Sequence, residues 1–216
     1  MSKIEWFTNG SAGEAVALAQ ETQRPVLVDF WHPTCRGCAK LFASTYSDAA
    51  LQGLAPHFIW IKYNTTAPDF WFKRLNGRFA HFWHPDVLVL DHHLRELRRV
   101  IGYLPAAELV PQIELGRALG HLYRREHEPA VQVLEHIVTS YPRSAVAPEA
   151  LYWMGVGGYR IGGEAELVRI WGRIALEYPS SDWRLRADCL DVSIPEEGFS
   201  PSDRGSVSWP PARELA

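Results

Sequence analysis

The sequence predicts an α/β domain with a central mixed sheet between helices, followed by an all-α segment. Strand-like and helix-like hydrophobic patterns alternate up to about residue 113, and the last two strand-like runs are separated only by a short turn. Alternation favours parallel strands, whereas a hairpin adds an antiparallel pair. Beyond residue 113 only helical spacing remains. We expect domains at 1–112 and 113–190, with a disordered or loosely attached tail at 191–216.

Composition argues against several classes of protein. The net charge is -3, and the basic residues are scattered among acidic ones, so the chain lacks a basic surface for nucleic acid or anionic lipid. No apolar run reaches the length of a membrane span. Because the segment Met1–Trp6 lacks the apolar stretch of a secretory signal, we expect a cytoplasmic protein.

The first helix and the first long strand follow each other closely. Ser11 and Glu14 have the spacing of a capping box, which predicts a helix that begins there and ends near Gln23. Pro25 then precedes Val26–Trp31, an apolar run that contains one acidic residue. A nearly continuous apolar run of this length is typical of a strand that is covered on both faces.

Three further strands and a helix complete the predicted domain. Phe58–Tyr63 reads as a second buried strand, and Asn76-Gly77 predicts the end of a helix. Val87–Leu90 and Leu94–Ile101 read as the two strands of a hairpin that turns at Asp91–His93, and we expect His92 and His93 to be solvated.

The second half carries an internal repeat. Five residue types recur at an offset of 37: Ile137, Tyr141, Pro142, Ser144 and Ala150 return as Ile174, Tyr178, Pro179, Ser181 and Ala187. This spacing resembles the helix pairs of tetratricopeptide repeats, and an ordinary bundle with two similar turns is the alternative. Pro105 with Glu108 predicts the helix that links the two parts of the chain, and Pro111 should kink this helix or mark the domain boundary. We expect Trp153, Trp171 and Trp183 to lie in the core.

Two of the three cysteines form the most informative motif. Cys35 and Cys38 follow the Val26–Trp31 strand and open a predicted helix. Backbone N–H groups at a helix start favour an anion, so Cys35 should form a thiolate readily, with Arg36 adding positive charge nearby. Cys38, one turn further, should be less exposed. A zinc site, a cluster shared between two chains, or plain structural thiols are the alternatives; zinc sites normally use four ligands, and only Cys189 remains.

At this motif, the segment Val28–Cys38 resembles the active-site segment of the thioredoxin superfamily. The shared pattern is a hydrophobic strand, an acid, Phe-Trp and then Cys-x-x-Cys. The resemblance covers about Ile4–Gly116. It implies a thioredoxin-like sandwich and thiol–disulfide exchange, in which Cys35 attacks a substrate disulfide and Cys38 resolves the mixed disulfide.

Two further features support the resemblance. His84-Pro85 precedes the Val87–Leu90 strand as the cis-proline of the family precedes its third central strand. The resemblance implies that Trp31, His84 and Pro85 contact the substrate peptide; an ordinary trans proline is the alternative.

Asp29 and Lys62 match the buried acid and its lysine neighbour in the family. Burial should raise the pKa of Asp29 toward neutral pH, so that the carboxyl takes the proton of Cys38 as that thiol attacks. The alternative is a buried ion pair without a catalytic role.

The chain departs from the common pattern around the dithiol. Arg36 and Gly37 replace the usual glycine and proline, and His32 and His84 add two imidazoles. Arg36 and a protonated histidine should stabilise the thiolate, whereas Asp86 should oppose it. The sign of the net effect on redox potential is open.

The leading hypothesis is an enzyme that reduces protein disulfides, with no metal and no cofactor beyond the dithiol itself. No segment resembles a flavin- or nicotinamide-binding loop, so electrons should come from a separate reductase or a small thiol. The helical repeats should bind the client or another protein partner. The alternatives are an oxidase or isomerase and, in a different class, a non-catalytic scaffold. We expect Cys189 to be a buried helix thiol.

Overall fold

The computed structural model describes residues 3–190, and a five-stranded mixed sheet organises the first half of this range. The five strands are β1 (Trp6–Phe7), β2 (Val26–Trp31), β3 (Ile59–Asn64), β4 (Asp86–Leu90) and β5 (Glu96–Ile101). The helices around the sheet are α1 (Ala12–Thr22), α2 (Arg36–Lys40), α3 (Ala49–Gly53) and α4 (Phe70–Phe79), with a π-helical turn at Leu41–Thr45 and a 3-10 turn at Ala55–His57. The helical segment consists of α5 (Ala106–Tyr123), α6 (His127–Ser140), α7 (Ala147–Gly162), α8 (Glu164–Glu177) and α9 (Asp182–Ala187).

Strand β2 lies at the centre of the sheet, whose order is β1-β3-β2-β4-β5. Strands β1, β3 and β2 are parallel, whereas β4 is antiparallel to both β2 and β5. Side chains alternate along a strand, so Val28 and Phe30 enter the core on one face while Leu27 enters the core on the other. Asp29 shares the face of Leu27. This register places a carboxyl group inside an apolar layer.

The predicted fold class is confirmed, with corrections at its edges. Strand β1 escaped the sequence analysis because two residues are too few to show a period. The capping box is absent: the Ser11 hydroxyl accepts a hydrogen bond from the Thr8 N–H rather than from the first turn of α1. The predicted stop at Asn76-Gly77 is wrong, because α4 continues to Phe79.

Helix α5 connects the sheet to the helical segment. Pro111 is buried within this helix, which continues without interruption from Ala106 to Tyr123, so the expected boundary between residues 112 and 113 falls inside one helix. Gly116 allows the close approach to β4, since a Cβ atom there would lie 2.8 Å from the Cβ of Val89. One helix therefore packs on both parts of the chain.

The two repeated Tyr-Pro turns have the same local geometry. Tyr141 and Tyr178 end α6 and α8 with nearly equal backbone angles, and the N–H of each donates to the carbonyl of an isoleucine four residues earlier. Each tyrosine carbonyl then accepts a hydrogen bond from the N–H of the serine three residues later. The 37-residue repeat is thus a repeated helix-ending turn, while its tetratricopeptide character stays a prediction.

In the second half of the chain, the prediction for the tryptophans is confirmed and the prediction for Cys189 is wrong. Trp171 is buried, and Trp153 and Trp183 pack against the same core. Cys189 is exposed and lies after the end of α9, so the expected buried helix thiol is wrong. The predicted tail at 191–216 lies outside the described residues. No helix within residues 3–190 is long and apolar enough to cross a membrane.

Candidate active site

The two cysteines lie where β2 ends and α2 begins. Cys35 is the N-cap residue of α2, with an extended backbone, and its sulfur accepts a hydrogen bond from the Cys38 N–H at 3.1 Å. A helix start exposes unpaired N–H groups, so this sulfur lies where negative charge is stabilised. Both cysteines are free thiols. They therefore have the local arrangement expected of an exchange-competent dithiol.

The two sulfur atoms differ in environment. Cys35 is partly exposed, whereas Cys38 is 1% exposed. Burial, reinforced by the adjacent Cys35 sulfur, raises the pKa of Cys38 to about 12. Cys38 therefore stays protonated at neutral pH, and Cys35 is the sulfur that an external disulfide can reach.

Asp29 is a buried acid beneath the dithiol. It is 0% exposed, and neither of its oxygens has a hydrogen-bond partner among the described residues. Burial raises its pKa from 3.8 to about 7, partly offset by the nearby Tyr46 hydroxyl and by the charge of Lys62. The rise expected from the sequence is confirmed. A carboxyl with this pKa exchanges protons close to neutral pH.

Lys62 lies on β3 directly beside Asp29 in the strand register, but the two side chains form no salt bridge in the described part of the chain. The ammonium group instead lies over the rings of Phe42 and Trp6, at 4.0 and 4.5 Å from their centroids. Burial lowers the pKa of Lys62. The lysine therefore acts on Asp29 through its charge rather than through a direct hydrogen bond.

Pro85 packs against the start of α2. The His84–Pro85 peptide bond is cis, as the sequence predicts. A Cβ atom at Gly37 would lie 2.9 Å from Cδ of Pro85 and 3.8 Å from Sγ of Cys35. Glycine at position 37 therefore leaves room for the proline ring against the first turn of α2. Residue 37 is where the thioredoxin pattern usually has a proline.

Trp31 is the last residue of β2 and leads into the segment that carries the two cysteines. Its ring packs edge-on against Phe42 at 5.4 Å, and it remains partly exposed. A pocket of about 270 Å³ opens beside it and reaches Lys62 and Asn64. Lys62, which is the neighbour of Asp29 in the strand register, therefore borders this pocket.

A hydrogen-bonded cluster that the sequence analysis did not identify lies behind Pro85. The carboxylate of Asp86, which is 0% exposed, contacts His81 Nδ1 at 2.9 Å and pairs with the guanidinium of Arg99 at 2.5 Å. His81 Nε2 lies 3.0 Å from His84 Nε2, which lies 2.8 Å from the Thr65 hydroxyl. The negative charge of Asp86 is thus paired rather than directed at the thiols. The His-x-x-His spacing before this acid was the available sequence signal.

The remaining predicted residues lie around the dithiol loop. Arg36 is exposed in the first turn of α2 and makes no ion pair within residues 3–190. The carbonyl of His32 accepts the Cys35 N–H at 3.0 Å, and its Nδ1 accepts the Thr34 N–H at 3.2 Å. Residues 3–190 contain no group of three His, Cys, Asp or Glu side chains arranged to hold a metal ion.

The first half of the chain is similar in sequence to known proteins. Residues 12–116 match the family model described as a thioredoxin-like domain. The thiol:disulfide interchange protein DsbD of Ralstonia nicotianae is 29% identical over 108 residues, which is 50% of this chain. The match spans 17% of the length of that curated protein.

Solved structures of a DsbD domain and of a thioredoxin resemble about half of the chain. The oxidised C-terminal domain of DsbD from Neisseria meningitidis is 19% identical and has a TM-score of 0.46, with 52% of this chain and 100% of that domain covered. A thioredoxin from Thermus thermophilus is 25% identical and has a TM-score of 0.45, with 56% and 90% covered. On the family match and the sheet described above, residues 12–116 of this chain form a thioredoxin-like domain.

Proposed function

We propose that this protein is a thiol–disulfide oxidoreductase that reduces protein disulfides through Cys35 and Cys38. The observation that carries the proposal is the asymmetry of the pair: one sulfur is accessible at a helix start, and the other is buried and held protonated. Simple structural thiols do not require this difference. The exchange uses thiols alone, without a metal or organic cofactor.

The steps follow from this asymmetry. The Cys35 thiolate attacks a client disulfide, one client sulfur leaves, and a mixed disulfide forms beside Pro85. Cys38 then loses its proton to Asp29 and attacks Cys35, which releases the second client sulfur and leaves the Cys35–Cys38 disulfide. Asp29 is suited to this transfer because its pKa is about 7. A separate reductase or a small thiol restores the dithiol.

We extend the proposal to the helical segment, which would hold the client while exchange takes place. Its support is the resemblance of the repeat to tetratricopeptide-like segments, together with two leucines, Leu176 and Leu185, that are 83% and 66% exposed. In this proposal Leu176→Glu with Leu185→Glu weakens the reduction of a protein client but leaves the reduction of a small aromatic disulfide unchanged. Equal loss with both substrates would contradict a client-binding role.

Insulin reduction tests the catalytic proposal. The full chain should reduce insulin with dithiothreitol as the electron source, and Cys35→Ser should abolish the acceleration over dithiothreitol alone. Cys38→Ser should instead accumulate a mixed disulfide between Cys35 and insulin, visible by mass spectrometry under non-reducing conditions. A parent protein no faster than Cys35→Ser would refute the proposal and favour a scaffold.

A further inference from the structure

A second pocket, of about 220 Å³, lies where the sheet meets the last turns of α5. Its walls come from the residues just before β2, from the 3-10 turn, from β5 and from the C-terminal half of α5. Pro25 in this wall precedes β2, whereas Cys35 follows the other end of that strand, which is about 20 Å long. The pocket is therefore separate from the dithiol.

The lining of this pocket is basic. It includes three arginines and two histidines, which are Arg24, Arg117, Arg124, His57 and His121. Among the described residues that line the pocket, none carries a carboxyl group. Guanidinium and imidazole N–H groups around one small cavity provide both the positive charge and the donors that an anion requires.

Arg24 carries a positive charge that has no counter-charge in contact with it. Its Nε donates to the Thr22 hydroxyl at 3.2 Å and its Nη1 to the Pro56 carbonyl at 3.4 Å, and it makes no ion pair within residues 3–190. Arg124, in contrast, pairs with Glu126 at 2.8 Å. The two neutral partners of Arg24 hold the guanidinium in place but leave its charge uncompensated.

Arg117 supplies a donor that lacks an acceptor. Its Nη2 pairs with Glu114 at 3.1 Å, but its Nε is buried and has no hydrogen-bond partner in the described part of the chain. A buried N–H without an acceptor is unfavourable. An oxygen atom of an anion bound against Arg117 would supply the missing acceptor.

The size of the pocket indicates which anions it can hold. Pockets for drug-sized ligands measure roughly 300–1,000 Å³, so a volume of about 220 Å³ suits a compact group rather than a whole nucleotide. Guanidinium groups match the oxygens of phosphate through paired N–H donors. A phosphate group satisfies both requirements, because it is compact and presents several oxygens to donors on different walls.

We propose that this pocket binds a phosphate group, free or as a small monoester, with Arg24, Arg117 and His57 as its donors. The site is independent of the proposed thiol–disulfide exchange, since it lies at the other end of β2. Because its walls come from the sheet and from α5, a bound phosphate should stabilise the packing of the helical segment on the sheet.

Two histidines in the lining report on occupancy. Burial and the charge of Arg117 lower the pKa of His57. Burial also lowers the pKa of His121, against the opposing hydrogen bond from Glu126 and with the charge of Arg124 adding to the decrease. An anion beside an imidazole favours its protonated form, so bound phosphate should raise the pKa of both histidines.

Calorimetric titration of the full chain at pH 7 tests the proposal. Inorganic phosphate, glycerol phosphate and acetate are added separately, with the ionic strength held constant by sodium chloride so that general screening does not change. Binding of either phosphate compound supports the inference, and the tighter of the two shows whether the pocket takes free phosphate or an ester. Acetate that binds as tightly as phosphate would overturn the assignment.

Matched variants locate the binding site. Arg24→Gln should weaken phosphate binding by about tenfold or more, because hydrogen bonds to charged groups are strong. Arg24 is only partly buried, so this variant should fold. Arg143→Gln removes the same charge at an exposed position beside Ser144, which bonds to Glu108 near the opposite end of α5, and should leave the dissociation constant unchanged.

Histidine ring signals in proton nuclear magnetic resonance give a readout that needs no substitution at an arginine. Saturating phosphate should raise the pKa of His57 and His121 and leave that of His32, beside the dithiol, unchanged. His57→Gln should also bind phosphate more weakly than the parent. Equal dissociation constants in the parent, Arg24→Gln and His57→Gln, or a phosphate response no larger than that to chloride, would overturn the inference.

Discussion

Replacing Asp29 by Asn should change the pH dependence of stability by an amount that the structure sets. Below pH 3.8 the carboxyl is protonated in both the folded and the unfolded chain, so its titration does not change the free energy of unfolding. Above that value the unfolded chain ionises, while the folded chain keeps its proton up to about pH 7. The free energy of unfolding therefore falls by about 1.4 kcal/mol for each pH unit in this interval.

The assay is urea denaturation of the parent and Asp29→Asn, both reduced, at pH 5 and pH 8. About two of these three pH units lie below the pKa of Asp29 in the folded chain. The free energy of unfolding of the parent should therefore fall by about 2.5 kcal/mol more than that of the variant between pH 5 and pH 8. Titration of the thiols cancels, because it is common to both proteins. Asp188→Asn, at an exposed position, should show no such difference. A difference in the free energy of unfolding between the parent and Asp29→Asn that is the same at both pH values would refute the reasoning.

Three other variants probe the surroundings of Asp29 and the helical segment. Lys62→Met removes a charge that lowers the pKa of Asp29, so the pH at which the mixed disulfide resolves at half its maximal rate should rise; stopped-flow measurement that finds it unchanged would contradict the coupling. Gly155→Ala would place a Cβ atom 2.3 Å from the Trp171 ring and should destabilise the chain by about 1–3 kcal/mol in urea denaturation. Gly172→Ala meets nothing within 4 Å and should be neutral or stabilising by up to about 1 kcal/mol; equal midpoints for the two glycine variants would be inconsistent with the packing described.

The sequence predicted the strands that carry long apolar runs, the cis-proline and the difference in exposure between Cys35 and Cys38. Each of these depends on local pattern or on a motif. The cluster behind Pro85 was missed because it depends on which residues the sheet brings together: Asp86 and Arg99 are partners only because β4 and β5 pair. Asp86 alone suggested an unpaired charge near the thiols.

The sequence pattern also could not predict which groups contact the charged side chains near Asp29. Lys62 was placed correctly beside it, but its ammonium group lies over the rings of Trp6 and Phe42, which arrive from β1 and the π-helical turn. Whether a lysine pairs with an acid or stacks on aromatic rings depends on side chains that are distant in sequence. The same holds for Cys189, whose exposure follows from where α9 ends.

The continuity of α5 has a practical consequence for dissecting this protein. Its first turns contribute Leu109 and Ile113 to the core beneath the sheet, while Leu115 and Ala118 belong to the core of the helical segment. A cut after residue 112 would break α5 and divide the core beneath the sheet, leaving Leu109 in one fragment and Ile113 in the other. We therefore expect a truncated redox half to aggregate unless it keeps the whole of α5, and we expect heat or urea to unfold the two halves of the intact chain together.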